Sequence, residues 1–66
     1  MNAVATISPA DVAVVRAFLR RHGEHGRPRP TEITFAYAAG YRLAQAIDVP
    51  RPTTRQHLAD LIAGCR

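Results

Sequence analysis

The chain has 66 residues, with nine arginines, no lysine and five acidic residues, and its net charge is +4. This length accommodates one small domain, and the single cysteine excludes an internal disulfide. No apolar run approaches the roughly eighteen residues that span a bilayer.

The hydrophobic residues are small. Twelve of them are Ala, and only sixteen are Val, Ile, Leu, Met or Phe. Ordering one residue costs about 1.5 kcal/mol, and the burial of so few bulky side chains hardly offsets that cost. The composition therefore predicts that a second copy of the chain or a partner protein adds stability.

The start of the chain lacks the basic segment of a secretory signal, because its first arginine is Arg16. Arginine without lysine, together with abundant alanine, is typical of a GC-rich genome. We expect a cytoplasmic protein of bacterial or phage origin that does not enter a membrane.

A first helix is predicted over residues 9–22. Ser8 is a suitable N-cap, Pro9 suits the first helical position, and Asp11 follows where a capping box places an acid. Gly23 supplies a C-terminal stop signal. Helical spacing places one group of bulky residues on one side and two arginines on the other: Val12, Val14, Val15, Phe18 and Leu19 against Arg16 and Arg20.

The segment Pro-Arg-Pro-Thr occurs twice, at 28–31 and at 50–53, and a helical pattern follows each copy. Proline holds the entering chain extended, and threonine is a good cap for the next helix. We therefore expect Thr31 and Thr53 to cap the second and third helices. Residues 23–30, which contain the first copy, are predicted to form a basic Gly/Pro loop.

The second helix is predicted over residues 32–47 and the third over 54–64. The second helix is apolar around most of its girth, as expected of a central helix; its main stripe is Ile33, Tyr37, Gly40, Ala44 and Ile47. The third has one apolar face, made of Leu58, Leu61, Ile62 and Cys65. The fold class is thus a compact all-α three-helix domain, preceded by a tail of residues 1–7 that also fits an extended conformation.

The positive charge is concentrated in residues 16–29, which carry five arginines against Glu24, whereas the rest of the chain is neutral. Such a cluster suits an acidic protein surface or nucleic acid. Cations near a helix C-terminus are also favoured without a partner, and this alternative stays open. The predicted anion-binding residues are Arg16, Arg20, Arg21, Arg27 and Arg29.

Small residues follow one another along the second helix. Glycine inside a helix costs about 1 kcal/mol relative to alanine, so Gly40 indicates close approach of another backbone. That backbone belongs either to the same chain or to a second copy across a two-fold axis. The second alternative predicts a self-association surface made of Ala36, Tyr37, Gly40 and Ala44.

No catalytic or metal-binding pattern is present in the sequence. His22, Glu24 and His25 lie close together, but they lack the paired ligand spacing of a structural zinc site. Cys65 fits a small apolar helix residue, and His57 belongs to another helix. We expect no enzyme activity, no metal, no cofactor and no small-molecule substrate.

Residues 53–63 resemble the first helix of the helix-turn-helix unit found in small bacterial repressors, over about a sixth of the chain. This resemblance implies DNA binding. A second arrangement makes the third helix the reader, with Thr54, Arg55 and Gln56 at its exposed first turn. A third is a ribbon-helix-helix protein with residues 2–7 as the strand.

Two functions therefore compete. The first is a non-catalytic helical interaction module or regulator that binds another protein or associates with itself. The alternative is a small DNA-binding transcriptional regulator. The thin core and the small residues favour the first function, and the localised positive charge favours the second.

Overall fold

A computed structural model describes residues 6–23 and 26–65. The three helices within these ranges are α1 (Pro9–Arg21), α2 (Pro30–Ala46) and α3 (Arg55–Gly64), and the ranges contain no strand. The predicted all-α three-helix fold is confirmed. Most of the predicted strand, residues 2–5, lies outside the described ranges, while residues 6 and 7 precede α1 without strand structure. None of the described helices has both the length and the hydropathy to cross a membrane.

Helix α1 begins as its sequence predicts. Ser8 Oγ accepts a hydrogen bond from the backbone N–H of Asp11 at 3.3 Å. The Asp11 carboxylate, however, binds a side chain of α2 and does not return to the cap. The helix ends at Arg21, one residue earlier than predicted, and His22 is its C-cap with extended backbone angles.

Helix α2 begins at Pro30, two residues before the predicted start, with Arg29 as N-cap. The backbone N–H of Arg29 donates to Glu32 Oε1 at 3.3 Å. Thr31 therefore lies inside the first turn, and its predicted capping role is wrong. Proline at the first helical position explains the earlier start, because its fixed φ suits the helix and its missing N–H is not needed there.

The cap of α3 is Thr54, one residue after the predicted Thr53. The backbone N–H of His57 donates to Thr54 Oγ1 at 3.1 Å. Thr53 instead donates its backbone N–H to the His57 ring at 3.2 Å. The second Pro-Arg-Pro-Thr segment thus precedes a helix as predicted. The N-cap is Thr54, whereas Thr53 is hydrogen-bonded to the His57 ring.

The core lies where the three helices meet, and α2 contributes more of its residues than either other helix. Leu43, Leu58 and Val15 are its largest fully buried side chains. The apolar face predicted for α3 is confirmed, with Leu58, Leu61 and Cys65 buried and Ile62 packed against them. Val14 and Ile33, both predicted on buried sides, are instead 40% and 39% exposed.

Gly40 allows the α2–α3 connection and α3 to approach α2. A Cβ atom on Gly40 would lie 2.6 Å from Leu58 Cδ2 and 3.0 Å from Pro52 Cγ. Ala36 and Ala44 are each 1% exposed within the single chain. Packing inside one chain therefore accounts for the small residues, and a second copy cannot reach them in this fold. Of the four residues predicted for self-association, only half-buried Tyr37 is accessible in this fold, and self-association itself stays a prediction.

We expect Gly40→Ala to destabilise the protein, because the new Cβ would require fully buried Leu58 and the ring of Pro52 to move. Such overpacking costs about 1–3 kcal/mol and the gain in helix propensity is about 1 kcal/mol, so the net loss is at most about 2 kcal/mol. Gly40→Leu should destabilise it further, as a monomer and not by blocking association. Gly64→Ala is the matched control, since its Cβ would lie at an ordinary 3.7 Å from Ile47 Cδ1. The free energy of unfolding of the three variants is measured by urea denaturation. An alanine at position 40 that raised the midpoint would contradict the close approach.

Candidate functional site

A shallow apolar groove of about 240 Å³ lies between α1 and α2 on the surface. Phe35 on α2 is 70% exposed, and Val14 on α1 is 40% exposed. The two side chains line opposite walls, and Phe18 and Ala36 are also among the lining residues. The groove therefore presents two large apolar side chains to solvent at one place.

Helical geometry explains why Phe35 is exposed. Neighbouring residues of a helix are rotated by about 100°, so burial of Ala36 turns Phe35 away from the core. Phe35 was not among the predicted site residues, because it belongs neither to the apolar stripe nor to the polar side of α2. The signal in the sequence was its helical spacing from two polar residues, Thr31 and Arg42.

One end of the α1–α2 pairing is fixed by a bidentate ion pair, which lies outside the residues that line the groove. Arg42 Nε donates to Asp11 Oδ2 at 3.0 Å, and Arg42 Nη2 donates to Asp11 Oδ1 at 2.9 Å. The hydrogen bonds from Arg42 lower the pKa of Asp11, and this effect exceeds the opposing effect of burial. The same pair raises the pKa of Arg42.

The other end is fixed by Glu32. Its Oε2 lies 2.7 Å from His22 Nε2 and 3.9 Å from Arg21 Nη1. The hydrogen bond with His22 is the main cause of the lowered pKa of Glu32, followed by the backbone N–H of Arg29. Because Asp11 pairs with α2 near its end and His22 pairs near its start, the two helices run antiparallel and the groove has a defined register.

The predicted basic segment is divided between different surfaces. Arg21 lines the groove beside Phe35, and its side chain is 72% exposed. Arg16 and Arg20 line a separate cleft on the other edge of α1, with Ile7 and Cys65. Arg27 and Arg29 are exposed near the start of α2. Of these five arginines, only Arg21 makes an ion pair within the described residues.

The three side chains predicted to read DNA all have partners within the chain. Arg55 Nε donates to the His22 carbonyl at 3.2 Å, and Arg55 Nη2 donates to the Leu19 carbonyl at 3.0 Å. These carbonyls belong to the end of α1, so Arg55 caps that helix from α3. Thr54 caps its own helix, and Gln56 donates to Asp60 at 3.0 Å. Arg55 is therefore engaged within the chain, and base reading by these three residues stays a prediction.

Two further clefts are open to solvent. One lies beside Arg55 and is lined by Phe18, Ile33 and Tyr37. Burial raises the pKa of Tyr37 there. The other lies along the α2–α3 connection, between Val49 and Leu61.

Residues 6–23 and 26–65 contain no group of three His, Cys, Asp or Glu placed to hold a metal ion. Two of the candidate metal ligands in the sequence, Glu24 and His25, lie outside these ranges. Cys65 is a buried free thiol within the apolar core.

Comparisons of the chain with protein-family models, with curated proteins and with solved structures find no match.

We expect Arg55→Ala to lower the free energy of unfolding by about 1–2 kcal/mol, because hydrogen bonds from a charged donor to the end of α1 are lost. Arg55→Lys should also destabilise, since an ammonium group does not reproduce the planar fork that spans two carbonyls. Arg51→Ala, at an exposed arginine, is the control and should stay within about 0.5 kcal/mol. Equal stability of all four proteins in urea would contradict the capping role of Arg55.

Acid should weaken the α1–α2 pairing. The folded-state pKa values of Asp11 and Glu32 lie below their ordinary values of 3.8 and 4.5. Each carboxylate therefore stabilises the fold above its ordinary pKa, and this contribution is lost as the pH falls through the folded-state pKa. In thermal melts between about pH 6 and pH 2, the Asp11→Asn, Glu32→Gln variant should show a shallower fall in Tm than the wild type. Parallel profiles for the two proteins would contradict this assignment.

Proposed function

We propose that this protein is a non-catalytic helical module that binds another protein through the groove between α1 and α2. The observation that carries this proposal is the exposure of Phe35, 70% of whose surface faces solvent beside exposed Val14. Buried aromatic anchors contribute strongly to protein–protein binding. A partner's apolar side chain placed between Phe35 and Val14 would remove both from water.

Burial of apolar surface supplies the driving force, at about 25 cal/mol per Å². Single exposed apolar residues are ordinary on protein surfaces, whereas adjacent ones in a groove favour an interaction site. The ion pairs at both ends of the α1–α2 pairing hold the groove walls in register before a partner arrives. Binding to such a preformed groove loses less conformational entropy than binding to a mobile surface.

Charge favours an acidic partner protein over a second copy of this chain. Each copy carries a net charge of +4, so two copies repel each other over about 8 Å at physiological salt. Arg21 adds local positive charge at the groove itself. A partner with acidic residues around an apolar contact complements both features.

The alternative function, a small DNA-binding regulator of the helix-turn-helix or ribbon-helix-helix type, has one supporting observation. Arg16, Arg20, Arg27 and Arg29 are exposed, and within the described residues none forms an ion pair. Such arginines suit phosphate contacts. Because Arg55 is hydrogen-bonded within the chain, it is less available to contact DNA bases from α3. DNA binding is therefore the second candidate function.

The first test is a Phe35→Ser variant, which should lose at least tenfold in affinity for the partner because it loses the aromatic anchor. Its Tm should stay close to that of the wild type, since most of the side chain is already in water. Tyr41→Ser is the matched control: Tyr41 is an aromatic on the same helix, 45% exposed, and it does not line the groove.

A photoreactive phenylalanine analogue at position 35, and in parallel at position 41, identifies what touches the groove in the native cell. The proposal predicts a discrete adduct of another protein from position 35 only. An adduct of twice the chain's mass indicates a second copy. Adducts of equal yield from both positions would contradict the groove. Steeply salt-dependent binding to duplex DNA, unchanged by Phe35→Ser, would support the DNA-binding alternative instead.

A further inference from the structure

We infer that the occupant of the groove is an acidic amphipathic helix of another protein, with its apolar stripe on Phe35 and Val14 and a carboxylate at Arg21. This inference rests on the proposed protein-binding function and names the class of partner. Three features carry it: the shape of the groove, the position of its apolar residues and the exposed arginine at one end.

The shape of the groove favours a helix. Peptides that bind as an added strand need the free edge of a sheet, and residues 6–23 and 26–65 contain no strand. The walls are instead two antiparallel helices, and a third helix packs along such a pair as in a helical bundle. On α1 the lining residues run from Val14 to Arg21, a length of about 11 Å, so about two turns of a partner helix span the groove.

The apolar residues lie where a helical stripe reaches them. Val14 and Ala17 are one turn apart on α1, and Phe35 faces them from α2. A partner helix with apolar residues at i, i+3, i+4 and i+7 contacts both walls at once. Ala17 and Ala36 are small, so they leave space for the partner's larger side chains between Val14 and Phe35.

Arg21 and Glu32 line one end of the groove, and the side chain of Arg21 is 72% exposed whereas that of Glu32 is 29% exposed. Glu32 is already bonded to His22 at 2.7 Å and to the backbone of Arg29, while Arg21 Nη1 lies 3.9 Å from its carboxylate. Arg21 therefore keeps hydrogen-bond donors for a partner. An acidic residue of the partner belongs at this end, which gives the bound helix a direction.

The test uses three synthetic 14-residue peptides titrated into the ¹⁵N-labelled protein. The first has leucines at i, i+3, i+4, i+7 and glutamates elsewhere, and the second replaces the glutamates with lysines. The third has the composition of the first but no apolar stripe. We expect the acidic amphipathic peptide to bind saturably and to shift the amides of Val14, Ala17 and Phe35. The other two should bind at least tenfold more weakly.

Variants of the protein separate the apolar from the charged contribution. Phe35→Ser should weaken binding of the acidic amphipathic peptide at least tenfold. Arg21→Gln should weaken it several-fold and reduce its salt dependence, because one charge pair is lost. Tyr41→Ser should bind like the wild type.

Several results would overturn the inference. Equal affinity for the lysine peptide removes the acidic requirement, and equal affinity for the stripeless peptide removes the amphipathic helix. Shifts confined to Ile7 and Cys65, or to Arg27 and Arg29, move the contact to another surface. If position 35 cross-links a partner protein in cells but the acidic peptide does not bind, the protein-binding function stands and the helical, acidic partner is rejected.

Discussion

The antiparallel pairing of α1 and α2 depends on charged hydrogen bonds at its two ends, between Asp11 and Arg42 and between His22 and Glu32. These contacts set which residues of the two helices face each other. With that register, Val15 and Leu43 turn inward while Val14 and Phe35 turn outward. The candidate groove is thus a consequence of the pairing, because Val14 lines it from α1 and Phe35 lines it from α2.

The position of the third helix is set by hydrogen bonds to α1 and by close packing against α2. Arg55 binds the last carbonyls of α1, and Leu58 packs against α2 at Gly40. A side chain at position 40 would fill the space that Leu58 and Pro52 occupy. A small domain with many alanines gains burial by bringing its helices close together, because short side chains cannot bridge a wider gap. The glycine is therefore part of the core and not of an interface.

The arginines have different roles because they lie at different positions in the fold. Arg42 and Arg55 hold the fold, since each binds an acceptor on another helix. Arg21 stands beside the groove, where Glu32 is already bonded to His22. In the sequence, the arginines of residues 16–29 form one cluster. The fold distributes them over separate surfaces, because successive residues of α1 face different directions and Arg27 and Arg29 lie beyond the end of α1.

The sequence by itself determined the number and type of elements. Local signals carry that information: Ser8 and Pro9 start α1, proline precedes the other two helices, and helical spacing marks the buried face of α3. Tertiary structure decided the rest, because the neighbour of a side chain on another helix is not encoded in local spacing. Only packing shows that Gly40 faces Leu58, that Arg55 caps another helix and that Phe35 remains in water.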